Sequence, residues 1–197
     1  MSNKYVVLYL HGFNSAGFGT KVNYLRKTFG DENVINPNLP INTEKAIEFL
    51  VFLVKKLKNN GEKKLILVGS SQGGFYANFL CFNHNIPTIL INPMIRAGKP
   101  ISEPQVRLTN LKSKEIYDYK REYSEYLQKL EIDKEKIKNF QDKIFIYIDE
   151  GDVVLDWRKT MEYFDGFYVK TFKGGSHYFE HMKDLTDDLK ENVLKNI

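Results

Sequence analysis

Residues 65–74 read LILVGSSQGG, an apolar run followed by a glycine-flanked serine. The run Leu65–Val68 is continuous rather than alternating, which is typical of a strand buried on both faces of a parallel sheet. The glycines place Ser71 at the centre of a G-x-S-x-G pattern, with a helix predicted directly behind it. Because glycine has no Cβ, strand and helix can approach closely there, and a sharp, strained turn exposes the serine hydroxyl. The pattern therefore predicts that Ser71 is a nucleophile.

Two other interpretations of this turn are a phosphate-binding loop and a tight turn without chemistry. A phosphate-binding loop would carry a lysine at the start of the helix, where Gly74-Phe75-Tyr76 stands here. The neighbouring Ser70 does not have glycines at both of the required distances. We therefore expect Ser70 to be structural and Ser71 to be the reactive serine.

Strands and helices alternate along nearly the whole chain, which favours a parallel sheet covered by helices on both faces. The length of 197 residues is typical of one domain, so we expect a single α/β domain over residues 1–197 with about six strands. Thr43 is predicted to cap the helix that follows it. The remaining predicted strands lie at Tyr5–Leu10, Asn33–Asn36, Thr88–Ile91, Ile144–Ile148 and Phe167–Phe172, and predicted helices follow at 21–29, behind Thr43, from Gly74 to about Asn83, and at the carboxyl terminus.

Residues 94–142 interrupt the alternation and form a predicted cap-like insertion. Within it, Ser113–Asn139 is highly charged and helical in pattern, with Tyr119, Tyr123 and Tyr126 on one face. One interpretation is an amphipathic surface helix on the edge of the sheet. The other is a cap over the active site whose tyrosines line the pocket, because insertions at strand ends carry sites in open α/β sheets.

The segment LHGFNS, residues 10–15, ends the first predicted strand. A His-Gly motif at this place supplies one backbone N–H of an oxyanion hole. That donor is predicted to be Phe13, and the second donor is predicted to be Gln72, directly after the nucleophile. We expect His11 to be a buried histidine that shapes the loop, although it is retained with Asn14 and Ser15 as a candidate substrate contact.

Four acids follow the strand that ends near Ile148, namely Asp149, Glu150, Asp152 and Asp156. Asp152 follows a turn glycine and precedes a hydrophobic pair, so it is predicted to be the acid that supports the catalytic base. Asp149 is the alternative. Asp156 is predicted to cap a helix that begins near Trp157.

His177 lies on the glycine-rich segment KGGSHYF, residues 173–179, between the last strand and the last helix. From there its Nε2 can reach Ser71, with the acid on its other ring nitrogen. His181 is predicted to be a surface or capping residue, and His84 has no comparable context. The chain order Ser71, Asp152, His177 is that of the α/β-hydrolase fold.

These motifs, with Asn92-Pro93, resemble those of the YqiA-like small bacterial esterases over nearly the whole chain. HGFNS and SSQGG are the most specific segments. The resemblance implies a compact cytoplasmic α/β hydrolase acting on carboxylic esters or thioesters, including acyl-CoA. It also implies Ser71 as nucleophile, Asp152 as acid and His177 as base. The segment from about Arg107 to Asn139 is longer and richer in Lys and Tyr than the family pattern.

No metal or cofactor is expected for this chemistry, and the partner is a small ester or thioester. Arg96 or Lys99 could meet an anionic leaving group such as CoA. Two alternatives are acyl transfer on the same residues and a catalytically silent hydrolase-fold protein. A nucleic-acid binder is suggested only by a pI near 8.9, since the net charge of +4 arises without a block of consecutive Lys and Arg.

Targeting and redox signals are few. The apolar run at residues 5–10 is too short for the apolar core of a signal peptide, and no run approaches the roughly 20 residues of a membrane span. The single cysteine, Cys81, excludes an intrachain disulfide. A cytoplasmic location without a membrane span is the expectation, and the sequence does not indicate the oligomeric state.

Overall fold

The computed structural model describes residues 4–59 and 61–197. Six parallel strands form its main sheet in the spatial order β2-β1-β3-β4-β7-β8. A separate antiparallel pair, β5–β6, lies outside this sheet. The strands are β1 (Tyr5–Leu10), β2 (Val34–Ile35), β3 (Lys64–Ser70), β4 (Thr88–Ile91), β5 (Gln105–Thr109), β6 (Ile116–Lys120), β7 (Ile144–Asp149) and β8 (Tyr168–Phe172).

Helices connect the strands of the main sheet, and short 3-10 turns occur at Asp31–Asn33 and Lys138–Phe140. The last helix continues into a π-helical turn at Leu189–Val193. The helices are α1 (Thr20–Phe29), α2 (Thr43–Asn59), α3 (Gln72–His84), α4 (Arg121–Lys129), α5 (Lys134–Ile137), α6 (Trp157–Tyr163) and α7 (Met182–Asp188).

Both faces of the sheet are covered, as the continuous apolar runs predict. Successive strand residues point to opposite faces. In β3, Leu65 and Leu67 therefore join one buried cluster with α2 and α3, whereas Ile66 and Val68 join a second cluster with α1 and α7. The prediction of an α/β fold with about six mostly parallel strands is confirmed.

The insertion between β4 and β7 contains a hairpin, and its second strand lies where the sequence predicts a helix from Ser113. Residues 105–109 and 116–120 pair as antiparallel strands, and helix begins only at Arg121. The hairpin turn is held by Asn110, whose Oδ1 accepts the N–H groups of Lys112 and Ser113 at 2.8 and 2.9 Å. Asparagine favours turns by such local hydrogen bonds. Tyr119 is therefore a strand residue, and its helical spacing to Tyr123 spans a boundary between two elements.

Helix starts confirm one capping prediction and correct another. The Asp156 carboxylate accepts the N–H of Arg158 at 3.1 Å and caps α6 as predicted. At α2 the capping side chain is Asn42, which accepts the N–H of Lys45 at 3.0 Å, and Thr43 is already helical. Both residue types are good caps, so the sequence pattern could not distinguish these two adjacent positions.

A buried carboxylate, Asp188, joins the last two strands of the sheet to the carboxyl-terminal helix. It accepts the hydroxyls of Tyr147 and Tyr168 at 2.8 Å each, Lys170 Nζ at 2.7 Å and Asn192 Nδ2 at 2.8 Å. Burial raises the pKa of Asp188, but hydrogen bonds from Lys170 and the three other donors outweigh burial, so the pKa lies below its ordinary value. The ionised form is therefore the one that stabilises the fold.

Replacing Asp188 with alanine is expected to lower the free energy of unfolding by about 3 kcal/mol at pH 7, since it leaves several buried donors without an acceptor. Urea unfolding measures this difference. Because the folded pKa is depressed, the contribution is complete above the ordinary Asp pKa of about 4 and falls as the pH drops further. A difference between the two proteins that grows below pH 4 would contradict this role.

No helix within residues 4–59 and 61–197 combines the length and the apolar character that a bilayer crossing requires.

Candidate active site

Ser71 lies at the turn between β3 and α3 in a backbone conformation that L-residues rarely adopt. Its φ is 55° and its ψ is −123°. The turn is held by its own peptide groups, because the Ser71 carbonyl accepts the N–H groups of Gly74 at 2.9 Å and Met94 at 3.0 Å. The Ser71 N–H donates to the carbonyl of Ile91 at 3.1 Å. Such strain persists only where the surroundings hold it, and it is common at functional sites.

Close backbone approach at the turn explains the flanking glycines. A Cβ on Gly69 would collide with the carbonyl of Gly73, and a Cβ on Gly73 would collide with the carbonyl of Leu10. The amino end of α3 therefore packs directly on the ends of β1 and β3. Gly12 is constrained less strongly, since a Cβ there would lie 3.1 Å from Ser71 Cβ, which is a tight contact but not a collision. The loop after β1 thus lies against the serine.

The loops after β7 and β8 run together beyond the edge of the sheet. Gly151 N–H donates to the Gly174 carbonyl at 2.7 Å, and a Cβ on Gly151 would collide with the Gly175 carbonyl. This backbone contact brings the segment that carries Asp152 beside the segment that carries His177. We call residues 173–181 the histidine loop.

Ser71, His177 and Asp152 form a continuous chain of hydrogen bonds. His177 Nδ1 lies 2.7 Å from Asp152 Oδ2, and His177 Nε2 lies 3.0 Å from Ser71 Oγ. With the proton on Nδ1 donated to the carboxylate, Nε2 accepts from the serine hydroxyl. Asp152 is buried, and its Oδ1 accepts the N–H groups of Val154 and Leu155 at 2.8 and 2.9 Å. The carboxylate is thus oriented by backbone donors and aimed at the histidine.

The two predicted oxyanion donors lie on either side of the serine. Gln72 is the first residue of α3, and Phe13 follows the glycine that packs on Ser71. Within the described part of the chain, neither N–H has a hydrogen-bond partner. The Gln72 side chain is buried and donates to the Tyr76 hydroxyl at 2.6 Å, so only its backbone faces the site. Unpaired N–H groups beside a serine at a helix amino end favour developing negative charge.

His11 is buried, and both of its ring nitrogens are engaged. Nδ1–H donates to the Gly12 carbonyl at 2.9 Å, and Nε2 accepts the Leu39 N–H at 3.0 Å. Burial lowers the pKa of His11 below its ordinary value, so the ring is neutral near pH 7. This arrangement is that of a histidine that shapes the loop.

Asn14 and Ser15 connect the loop after β1 to the hairpin. The Tyr117 hydroxyl donates to Asn14 Oδ1 at 2.9 Å, and Asn110 Nδ2 donates to the Ser15 carbonyl at 2.9 Å. The rings of Phe13 and Tyr119 also pack edge to face, with centroids 5.0 Å apart. The hairpin therefore lies directly on the loop that carries one predicted oxyanion donor. His11, Phe13, Asn14, Ser15 and Gln72 all line one small cavity of about 30 Å³.

A second, larger cleft has a volume of about 570 Å³. It is lined by Met94, whose N–H donates to Ser71, and by Val154 and Leu155, whose N–H groups donate to Asp152. Arg96 also lines this cleft, and its guanidinium is paired with Glu131 at 3.2 Å. Arg96 therefore stands apart from the other three residues predicted to contact substrate, which line the small cavity.

Three residues near the site make contacts that the sequence did not predict. Asp149 is fully buried and accepts His181 Nδ1 at 2.7 Å. His181 stands at the N-cap position of α7, which agrees with its predicted capping place, but its side chain binds Asp149 and does not cap the helix. Asn92 has a φ of 39° and donates to the carbonyl of Ser176 at 2.9 Å. The distinguishing feature of Asn92 is its positive φ directly after a strand. Since φ is not readable from sequence, no sequence signal could have identified this role.

In the described ranges, no group of three or more His, Cys, Asp or Glu side chains is arranged to hold a metal ion. Cys81 is buried, and burial raises the pKa of its thiol to about 11.

Comparison with known proteins identifies a family and a fold. Residues 6–192 match the sequence model described as "Uncharacterised protein family (UPF0227)". Est1E from Butyrivibrio proteoclasticus with bound ferulic acid is similar, with a TM-score of 0.75 and 16% identity, over 100% of this chain and 90% of that chain. The esterase domain of a Rhodothermus marinus protein gives a TM-score of 0.68 and 11% identity, over 98% and 85% of the two chains. A monoacylglycerol lipase from Paleococcus ferrophilus gives a TM-score of 0.67 and 12% identity, over 98% of this chain and 95% of that chain.

Proposed function

The chain belongs to the uncharacterised protein family UPF0227, and we propose that it is a serine esterase that hydrolyses carboxylic esters or thioesters. The resemblance to the YqiA-like proteins is confirmed at the level of the family. One observation carries the proposal, namely the hydrogen-bonded chain from Ser71 through His177 to Asp152. The names of the proteins that share the fold, two esterases and a lipase, favour ester substrates.

The reaction has two steps. His177 Nε2 removes the Ser71 hydroxyl proton as Oγ attacks the ester carbonyl, and it then protonates the departing alcohol or thiol. The acyl group remains on Oγ. Water, deprotonated by the same nitrogen, then attacks the acyl carbonyl. The bond from the acyl carbon to Oγ breaks, His177 returns the proton to Ser71 Oγ, and the acid leaves. Asp152 holds the imidazole with Nε2 toward Ser71 and stabilises the imidazolium that forms in both steps.

Backbone N–H groups of Phe13 and Gln72 stabilise the oxyanion of each tetrahedral intermediate. The loss of one such donor typically costs about 10²–10³ in kcat. Because both donors belong to the main chain, side-chain substitution does not remove them. Their alignment depends instead on the packing of Gly12 against Ser71 and on the hairpin above Phe13.

The cleft lined by Met94 and Leu155 is the proposed binding site for the main apolar part of the substrate. It borders both Ser71 and Asp152 through the N–H groups that donate to them. An anionic leaving group such as CoA would compete with Glu131 for Arg96. Charge reversal at Arg96 that leaves the KM for an acyl-CoA unchanged would exclude that contact.

The test is hydrolysis of p-nitrophenyl esters over a range of acyl lengths, together with labelling by a fluorophosphonate that is mapped by mass spectrometry. We expect turnover and one label, on Ser71, in the wild-type protein. The chain-length profile measures the usable length of the cleft. A label on another residue, or neither turnover nor labelling, would contradict the proposal. Ester products formed with an added alcohol would indicate acyl transfer instead of hydrolysis.

The β5–β6 hairpin is proposed to act as a cap that fixes the loop after β1. Replacing Tyr117 with phenylalanine removes the hydroxyl that donates to Asn14 and leaves the ring. We expect kcat for a p-nitrophenyl ester to fall about fivefold, since a neutral hydrogen bond contributes about 1 kcal/mol.

Steady-state kinetics with Tyr126→Phe as the control measures this effect, because no hydrogen bond of the Tyr126 hydroxyl is found in the described chain. Equal kcat values for the two variants would show that the hairpin contact does not support the reaction.

A further inference from the structure

Two buried polar side chains at the ends of neighbouring strands hold the backbone on both sides of His177. Asn92 follows β4, and Asp149 ends β7. We propose that Asp149, together with Asn92, is a positioning residue that sets the distance between His177 and Ser71. The inference rests on the proposed function, since it concerns the same catalytic base.

Asp149 anchors the histidine loop through its carboxylate. Oδ2 accepts the N–H groups of Ser176 at 3.3 Å and Glu180 at 2.7 Å, and Oδ1 accepts His181 Nδ1 at 2.7 Å. The Asp149 side chain is completely buried, and a Cβ on Gly175 would collide with it. A buried carboxylate that accepts three N–H groups is strongly oriented, because each hydrogen bond to a charged acceptor contributes more than a neutral one.

Asn92 holds the same loop through its carbonyl groups. Its Nδ2 donates to the carbonyl of Ser176 at 2.9 Å and lies 3.4 Å from that of His177. Its Oδ1 accepts the Asp149 N–H at 2.8 Å. The two side chains are therefore connected to each other, and between them they bind peptide groups immediately before, at and after the histidine.

The Asp149–His181 pair is not a second copy of the pair that activates the serine. Both Asp149 oxygens are used within the loop, and the nucleophile's histidine is bound by Asp152 instead. The His181 ring stacks flat on Phe172, with centroids 4.8 Å apart and an angle of 7°. Asp149 thus acts through the backbone of the loop and not on the reacting atoms.

The distance between His177 and Ser71 explains why the position of the histidine loop affects the reaction rate. His177 Nε2 and Ser71 Oγ are 3.0 Å apart, which is near the limit for proton transfer through a hydrogen bond. Displacement of a catalytic group by about 1 Å costs on the order of 10²-fold in rate. Substrate affinity depends on the cleft beside Met94 and Leu155, which Asp149 does not line.

Asp149→Ala tests the role because it removes both acceptor oxygens from the N–H groups of Ser176, Glu180 and His181. We expect kcat for a p-nitrophenyl ester to fall on the order of 10²-fold, with KM changed by less than about twofold. Asp184→Ala is the matched control, since this exposed acid of α7 undergoes the same change in charge and size. Equal kinetics for the two variants, or a loss expressed mainly in KM, would overturn the proposal.

A second readout does not depend on ester turnover. Hydrogen exchange of peptides covering residues 174–181 is expected to be at least about tenfold faster in Asp149→Ala than in Asp184→Ala, because the N–H groups of Ser176 and Glu180 lose their acceptor. Unchanged exchange there would overturn the positioning role even if kcat fell. If the wild-type protein hydrolysed no ester, the proposed function would fail, and the exchange result would still decide whether Asp149 anchors the loop.

His181 variants provide the same test with a smaller perturbation. His181→Ala removes one donor to Asp149, whereas the amide of His181→Asn can replace Nδ1 as the donor. We expect kcat to fall about tenfold in the alanine variant and to recover to within about threefold of wild type in the asparagine variant. Equal losses in both would contradict a role that runs through the hydrogen bond to Asp149.

Discussion

Replacing Ser71 with alanine is expected to lower kcat for p-nitrophenyl esters by about 10⁴- to 10⁶-fold, since removal of the nucleophile of such a set leaves only the contribution of the oxyanion donors and of binding. The fold should survive, because the Ser71 carbonyl and N–H make the hydrogen bonds that hold the turn. Among the described residues, the Ser71 hydroxyl bonds only to His177. Alanine must also adopt φ 55°, so a small loss of stability is expected.

Ser70→Ala is the matched control for this variant. Ser70 is the last residue of β3, is buried, and has an adjacent hydroxyl of the same kind. We expect it to retain most of the activity. Purified Ser71→Ala protein that hydrolyses the esters as fast as wild type would mean that another group is the nucleophile, or that a contaminating enzyme is being measured.

Replacing Asp152 with asparagine is expected to lower kcat by about 10⁴-fold. The N–H groups of Val154 and Leu155 require an acceptor at Oδ1, so the new amide would place its NH₂ toward His177. His177 Nδ1 would then accept a hydrogen bond, and the ring proton would move to Nε2. A protonated Nε2 cannot accept the hydroxyl proton of Ser71, so the base is lost while the geometry is kept.

Asp184→Asn is the control for that change, because Asp184 is exposed on α7 and does not line the cleft beside Met94 and Leu155. Its kcat should stay within about twofold of wild type. The comparison with Asp149→Asn separates the two buried acids. A larger loss in Asp149→Asn than in Asp152→Asn would assign the supporting acid to Asp149.

The sheet was predictable because its strands correspond to continuous apolar runs in the sequence. Leu65–Val68 and Thr88–Ile91 are buried on both faces, and such short apolar runs between glycine or proline boundaries favour strands over helices. The candidate site was predictable for a related reason. Ser71, Asp152 and His177 each follow a strand of one parallel sheet. Because the carboxyl ends of parallel strands lie at the same edge of a sheet, the three residues are predicted to lie at that edge.

The hairpin and the role of Asp149 were harder to predict from the sequence. Tyr119, Tyr123 and Tyr126 have helical spacing, but the first lies in β6 and the other two lie in α4. The strand β6 is stabilised by pairing with β5, where Val106 lies opposite Tyr119. Asp149 and Asp152 are both buried acids beside the same loop. Which of them faces His177 depends on the contact between Gly151 and Gly175, a tertiary feature without a local signature.

The insertion between β4 and β7 has an evolutionary consequence. These two strands are hydrogen-bonded neighbours, and their register runs from Thr88 with Ile144 to Ile91 with Tyr147 regardless of what the chain does between them. Surface segments tolerate changes in length at little thermodynamic cost. Descendants of this chain can therefore change the length or the sequence of this insertion while the pairing of the sheet is kept, but changes at Tyr117 or Tyr119 would also reach the loop after β1.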